Sequence, residues 1–191
     1  MPPALVVVFG LIAAGKTTLA RSLSEQLGWV AIHSDWVRKA LAGIPPTQRV
    51  AVPFGQGLYA PGMSGRTYDE MFRQAREHLQ AGRGVILDGS FMRAVDRQRA
   101  REVAQDCGVP IFFILCVCSP EETGRRLAQR AANQQAVSDG REAILAEQQA
   151  RFEPITDLAG VPVLTVATHR PAAVVVAEVL AFLQTSQPAK E

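Results

Sequence analysis

An α/β fold, with a five-stranded, mainly parallel sheet and helices on both faces, follows from three observations. Short β-rich apolar runs recur along the 191 residues. Amphipathic segments of helix length separate most of them, and the first run leads straight into a glycine-bounded turn and a helix.

Taken in order, the strand candidates are Leu5 to Phe9, Trp29 to Ile32, Val85 to Leu87, Ile111 to Val117 and Pro162 to Val166. The helix candidates are Lys16 to Leu27, Trp36 to Ala42, Gly65 to Ala81, Arg93 to Cys107, Pro120 to Ala132, Arg141 to Arg151 and Pro171 to Gln184. Leu19, Leu23 and Leu27 give the first helix an apolar stripe, and the last helix is apolar enough to pack on the sheet. Gly43 to Ser64 breaks the alternation with Pro45, Pro46, Pro53 and Pro61, and is read as an irregular excursion of the kind that carries function. Residues 1–187 are expected to form one domain, with 188–191 a tail.

The chemistry starts at Gly10-Leu11-Ile12-Ala13-Ala14-Gly15-Lys16-Thr17, a complete G-x-x-x-x-G-K-[ST] loop between the first strand and the first helix. Gly10 and Gly15 let the backbone turn so that N–H groups, including those of Ala13 and Ala14, point at phosphate oxygens, and the helix adds its positive N-terminal end. Lys16 reaches the β- and γ-phosphates, Thr17 ligates the magnesium that bridges them, and Thr18 follows at the helix start. This order predicts the three-layer P-loop NTPase fold and binding of a nucleoside triphosphate.

Twenty Lys and Arg against 18 Asp and Glu leave a net charge of +2, too near balance for indiscriminate binding to nucleic acid. No apolar run is long enough to span a bilayer, and the N-terminus lacks the basic start of a secretory signal, so a cytoplasmic protein with no membrane contact is expected. Cys116 and Cys118 share one strand face and read as core thiols; His33, His78 and His169 show no metal-ligand spacing.

Three places can turn a phosphate cradle into a kinase. Asp35, just past the second strand, is placed to accept the acceptor's proton, and Arg38, one turn on, to hold the acceptor; alone, Asp35 also reads as a helix N-cap. Asp88 ends the third strand where a carboxylate holds magnesium, usually through water, with a cap for a helix near Met92 as the alternative. Arg125, Arg126 and Arg130 lie on the helix Pro120 to Ala132, whose basic run reads either as a solvated face or as part of a lid, residues 120–151, closing on ATP, with Arg126 the first choice to meet the phosphates.

The combination of Gly10 to Thr17, Ser34-Asp35-x-x-Arg38-Lys39, Gly57-Leu58-Tyr59 with Arg66-Thr67-Tyr68, Asp88, Cys118 to Glu122, Arg126 and Arg130, Ser138-Asp139 and Phe152-Glu153-Pro154 resembles the small P-loop kinases of the AAA_33 type. These include the kinase module of polynucleotide 5′-hydroxyl kinases, with gluconate-kinase and chloramphenicol-phosphotransferase types nearby. The resemblance implies Asp35 as general base, Arg38 on the acceptor side, Arg126 on the donor phosphates, and adenine held against Ala167 to Pro171, including Arg170. It implies ATP and Mg2+ as donor and metal. Leu11-Ile12-Ala13-Ala14 departs from the Pro-Gly-Ser common in such loops.

The acceptor is expected to be a small polyol or antibiotic-like molecule, because Phe54, Tyr59 and Arg49 are a thin groove for a nucleic acid 5′ end. The polynucleotide kinase reading stays beside it. From another class comes an ATP-hydrolysing switch that binds a protein partner, and oligomeric state is left open.

Overall fold

The unbroken apolar run Leu5–Phe9 forms β1, and all five residues are buried. Burial on both faces is what a central parallel strand requires. The strands stand in the order β2-β3-β1-β4-β5, with β2 Val30–His33, β3 Val85–Asp88, β4 Ile111–Val117 and β5 Val163–Ala167, and every pairing is parallel. The structure, a computed structural model, describes residues 1–45, 60–132 and 139–186; the side chains of Pro61, 130–132 and 139–143 also fall outside it.

The helices are α1 Lys16–Leu27, α2 Ser34–Leu41, α3 Pro61–Gln80, α4 Ala94–Asp106, α5 Pro120–Ala132, α6 Asp139–Arg151 and α7 Ala172–Thr185, with a 3-10 turn at Ile155–Leu158. They form the outer two layers. Leu5, Val7 and Phe9 of β1 face Met71 and Phe72 of α3 and Val103 of α4. Val6 and Val8 alternate to the other face, against Leu19 and Leu23 of α1 and Val176 and Val179 of α7. Each such apolar side chain taken from water contributes about 2 kcal/mol. None of the described helices is long and apolar enough to cross a membrane.

The elements match the sequence reading with four differences that have physical causes. First, α3 begins at Pro61 rather than Gly65, because Pro61 takes the first helical position, where its missing N–H costs nothing. The irregular excursion therefore ends by Ala60; residues 46–59, with Arg49, Phe54 and Tyr59, lie outside the described residues, as do Ser138 and the tail 188–191. Second, β2 and β3 each run one residue further, to His33 and Asp88, which makes these two polar residues ladder partners. Third, α4 begins at Ala94 with Arg93 as its cap residue, and α2 at Ser34 with His33 as its cap residue. Neither Asp88 nor Asp35 is therefore an N-cap. Fourth, β4 ends at Val117, so Cys116 is buried in the core while Cys118, beyond the strand, is only half-buried.

Among the described residues one charged side chain is fully buried. Arg97 of α4 donates to Asp157 at 2.6 Å, to the carbonyls of Phe91 at 2.9 Å and Met92 at 3.1 Å, and to that of Pro154 at 2.8 Å. This guanidinium ties the segment after α6 to the loop after β3. Glu153 strengthens the tie by accepting from the backbone N–H of Ala94 at 2.5 Å, at the positive N-terminus of α4. Phe91 of that loop sits at φ 41°, a conformation that costs a non-glycine residue about 1 kcal/mol or more. The Tyr68 hydroxyl, which accepts its N–H at 2.9 Å, and Arg97, which holds its carbonyl, keep it there.

Candidate active site

The carboxyl ends of β1 and β3, at the centre of the sheet, converge on the Gly10 to Thr17 loop. Gly10 is required there because its φ is 135° and a Cβ would lie 2.4 Å from the carbonyl oxygen of Cys116. Gly15, at φ 78°, starts α1 against Thr168, with room for no more than a strained Cβ. Between them Ala13 takes φ 61°, the left-handed region where glycine is ordinarily favoured. Its strain marks the departure of this loop from the commoner Pro-Gly-Ser spelling. Among the described residues, no carbonyl accepts the N–H groups of Ala13 or Gly15, so these donors are available to an anion. Lys16 donates from Nζ to the carbonyl of Leu11 at 2.6 Å, which folds its ammonium back over the loop.

On the metal side, Thr17 donates from Oγ1 to Oδ2 of Asp88 at 2.7 Å. Asp88 is 4% exposed. Two hard oxygen groups side by side at the base of a phosphate cradle are the donor type that magnesium takes. His33 meets the same Oδ2 through Nδ1 at 2.8 Å, which places the imidazole proton on Nδ1 because a carboxylate only accepts. Its ring packs against Trp36, centroid to centroid 4.3 Å.

Arg126 reaches from α5 to the cradle. It donates to the carbonyl of Ala13 at 3.1 Å and to that of Thr168 at 2.7 Å, and Glu122 accepts from its Nε at 2.8 Å. Arg125 and Arg126 together hold the Glu122 carboxyl well down, at about 2. Beside this bridge lies a cavity of about 310 Å³ between α1 and α7, whose walls include Gly15, Thr18, Arg126, Thr168 and Arg170. Arg170 pairs with Glu178 of α7. The cavity therefore gathers five of the residues expected to bind nucleotide, Ala13, Gly15, Thr18, Arg126 and Arg170, together with Thr168 of the loop expected to hold adenine. Arg130 belongs to α5 by its backbone, and its side chain lies outside the described residues.

On the other flank, α2 starts directly at the end of β2 and carries Asp35 in its first turn. The Asp35 side chain is 49% exposed; Oδ2 lies 3.2 Å from Nζ of Lys39 and Oδ1 lies 4.0 Å from Nη1 of Arg38. Both cations are mostly buried, so the carboxylate stands half in solvent with positive charge behind it. Arg38 also acts electrostatically on Tyr68, whose phenol is pushed up by burial and whose hydroxyl lies 3.3 Å from that of Ser90. Arg38, Tyr68 and the loop after Asp88 thus border one region.

Two residues of the site were not among the sequence candidates. His33 shows no metal-ligand spacing in the sequence; its signal is its place at the carboxyl end of a parallel strand, the end at which such sheets bind ligands. Gln148 of α6 accepts the N–H of Ile12 in the cradle; nothing in its local sequence marks it, because the partner is distant in the chain.

The AAA_33 family model, described as an AAA domain, matches residues 5–155. The chain is 31% identical over 149 residues to an uncharacterized protein of Mycobacterium tuberculosis (strain ATCC 25618 / H37Rv), covering 78% of this chain and 30% of that protein. It therefore spans less than a third of that relative's length. It is 30% identical over 134 residues to a gluconokinase of Gluconobacter oxydans (strain 621H), covering 68% of this chain and 67% of that enzyme. The structure of a sugar kinase from Janibacter sp. HTCC2649 superposes with a TM-score of 0.69 at 16% identity, over 97% of this chain and 96% of that one. At that identity the likeness is one of fold.

Proposed function

The chain belongs to the AAA_33 family, and we propose that it is an ATP-dependent kinase of a small hydroxyl-bearing molecule. Phosphoryl transfer by a P-loop kinase is the activity that family and fold support in general; the donor, the acceptor and the residue roles are the reading advanced here. The observation that carries it is the Thr17–Asp88 hydrogen bond of 2.7 Å at the foot of the glycine-bounded loop. A phosphate cradle and a magnesium-type oxygen pair stand there on one sheet edge, with a carboxylate on the adjoining helix.

In this reading the β- and γ-phosphates take the N–H groups of Ala13, Gly15 and Thr18, and both Lys16 and the N–H of Ala14, which donates to the Leu11 carbonyl at 3.3 Å, leave that carbonyl to reach them. The nucleobase enters the cavity between α1 and α7, walled by Arg126 and Arg170. Thr17 and Asp88 would hold magnesium, which would neutralise charge on the phosphates. Asp35 takes the proton of the acceptor hydroxyl as the acceptor oxygen bonds to the γ-phosphorus and the bond to the β,γ-bridging oxygen breaks, leaving ADP. Arg38 holds the acceptor. Residues 120–151 act as the lid of a single kinase domain, and the segment between α2 and α3 borders the acceptor.

A small polyol is favoured as acceptor by the 30% identity to a gluconokinase over two thirds of that enzyme's length. The test is transfer of γ-labelled phosphate from ATP to three classes of acceptor: small polyols, aminoglycosides and an oligonucleotide with a free 5′-hydroxyl. Label in the polyols supports the proposal. Label confined to the oligonucleotide makes the protein a polynucleotide kinase, and ATP hydrolysis that only a protein partner stimulates makes it a switch.

A further inference from the structure

His33 ends β2 directly beside Asp88 at the end of β3, and the two are ladder partners. Their side chains are 4% and 5% exposed, and Nδ1 of the imidazole lies 2.8 Å from Oδ2 of the carboxylate. Thr17 donates to that same oxygen. A carboxylate turns softly about its last torsion, so one hydroxyl donor does not fix it. Two donors converging on one oxygen do. His33 is itself held, because its ring packs against Trp36 and its backbone turns the chain from β2 into α2 without a side-chain cap. The imidazole that would ordinarily be free at a helix start is committed to Asp88.

We propose that His33 is the positioning residue of the magnesium side of the site. Its Nδ1–H pins Oδ2 of Asp88; the pinned oxygen orients the Thr17 hydroxyl proton toward itself, and the lone pairs of Thr17 Oγ1 then face the cradle where the metal binds. Because Asp35 follows His33 by two residues, the same contact also sets the start of α2 against the end of β3. The metal side and the acceptor side share one anchor. This role rests on the reading of Asp88 as a magnesium-site residue.

The test titrates Mn2+ into protein saturated with ADP, following free Mn2+ by its EPR signal, for the native chain, His33→Phe and His33→Asn. Phe fills the space and packs on Trp36 but donates nothing; Asn keeps an N–H donor. His33→Phe is expected to weaken Mn2+ binding about tenfold or more, as loss of a partner behind a metal-site ligand does. His33→Asn is expected to stay within about threefold of native, and ADP binding in EDTA to be the same for all three. Native-like Mn2+ binding by His33→Phe overturns the proposal, as does His33→Asn binding as weakly as His33→Phe. Loss of ADP binding in EDTA by both variants would make His33 a residue of the fold and overturn it too. Asp88→Asn separates the two layers: unchanged Mn2+ binding there removes Asp88 from the metal site, and the role of His33 with it.

Discussion

Gln148 of α6 accepts a hydrogen bond of 2.7 Å from the backbone N–H of Ile12, in the phosphate loop and 136 residues earlier in the chain. The contact couples the docking of α6 to the shape of the cradle. A neutral hydrogen bond contributes about 1 kcal/mol net, so its loss is worth about fivefold in a local equilibrium. Gln148→Ala should speed amide hydrogen exchange in α6 and raise the KM for ATP by about two- to fivefold, with kcat little changed. Exchange in α6 at the native rate would show that the contact does not hold the helix.

Arg126 spends its guanidinium on the carbonyls of Ala13 and Thr168 and on Glu122. To meet a transferring phosphate it must leave two of those partners; where it stands, it walls the cavity between α1 and α7. Arg126→Ala is therefore expected to raise the dissociation constant of ATP by about tenfold, the scale of a lost hydrogen bond to a charged group, measured by equilibrium dialysis. A fall in turnover with unchanged ATP affinity would place Arg126 on the phosphate in flight instead.

Arg97 is fully buried and paired with Asp157, which is 20% exposed. Removing the cation strands a carboxylate and four carbonyls that now accept from it, those of Phe91, Met92, Glu153 and Pro154. Arg97→Met should lower the unfolding free energy in urea by about 3 kcal/mol, near the lower end of the range for breaking a buried pair because Asp157 keeps some water. A loss below about 1 kcal/mol would mean that solvent replaces these bonds.

The Cys116 thiol is pushed up to about 12, chiefly by burial. Its thiolate is scarce at any ordinary pH, and thiolate is the reactive form. Iodoacetamide at pH 8 should leave Cys116 unlabelled in the native protein and label it after denaturation, while Cys118 and Cys107, both half-buried, react first. Peptide mass spectrometry reads this directly; early labelling at Cys116 would mean that the end of β4 opens.

The sequence made the cradle legible because its constraints are local. A turn that must present N–H groups to an anion needs glycine at Gly10, where any Cβ strikes the Cys116 carbonyl, and that requirement is written in eight consecutive residues. Strands were legible from apolar runs, down to Leu5–Phe9 and Ile111–Val117 at both ends. The polar residues that finish β2 and β3 were harder to read, since periodicity cannot say whether His33 or Asp88 continues a ladder or leaves it. Contacts between distant segments were not legible at all. Gln148 on Ile12, Arg126 on Thr168 and Arg97 on Pro154 join helices to loops through backbone carbonyls and amides, which every residue possesses and no side-chain pattern announces.

The central claim is that Asp35 activates a hydroxyl for attack on ATP. It is tested most directly by label transfer with Asp35→Asn, beside the native chain, at ATP concentrations that saturate both. The amide keeps the size of the side chain and cannot take the proton, so transfer to the acceptor should fall by about a thousandfold while ATP binding stays within about twofold. Transfer by Asp35→Asn at the native rate would contradict the account and leave the proton to another group.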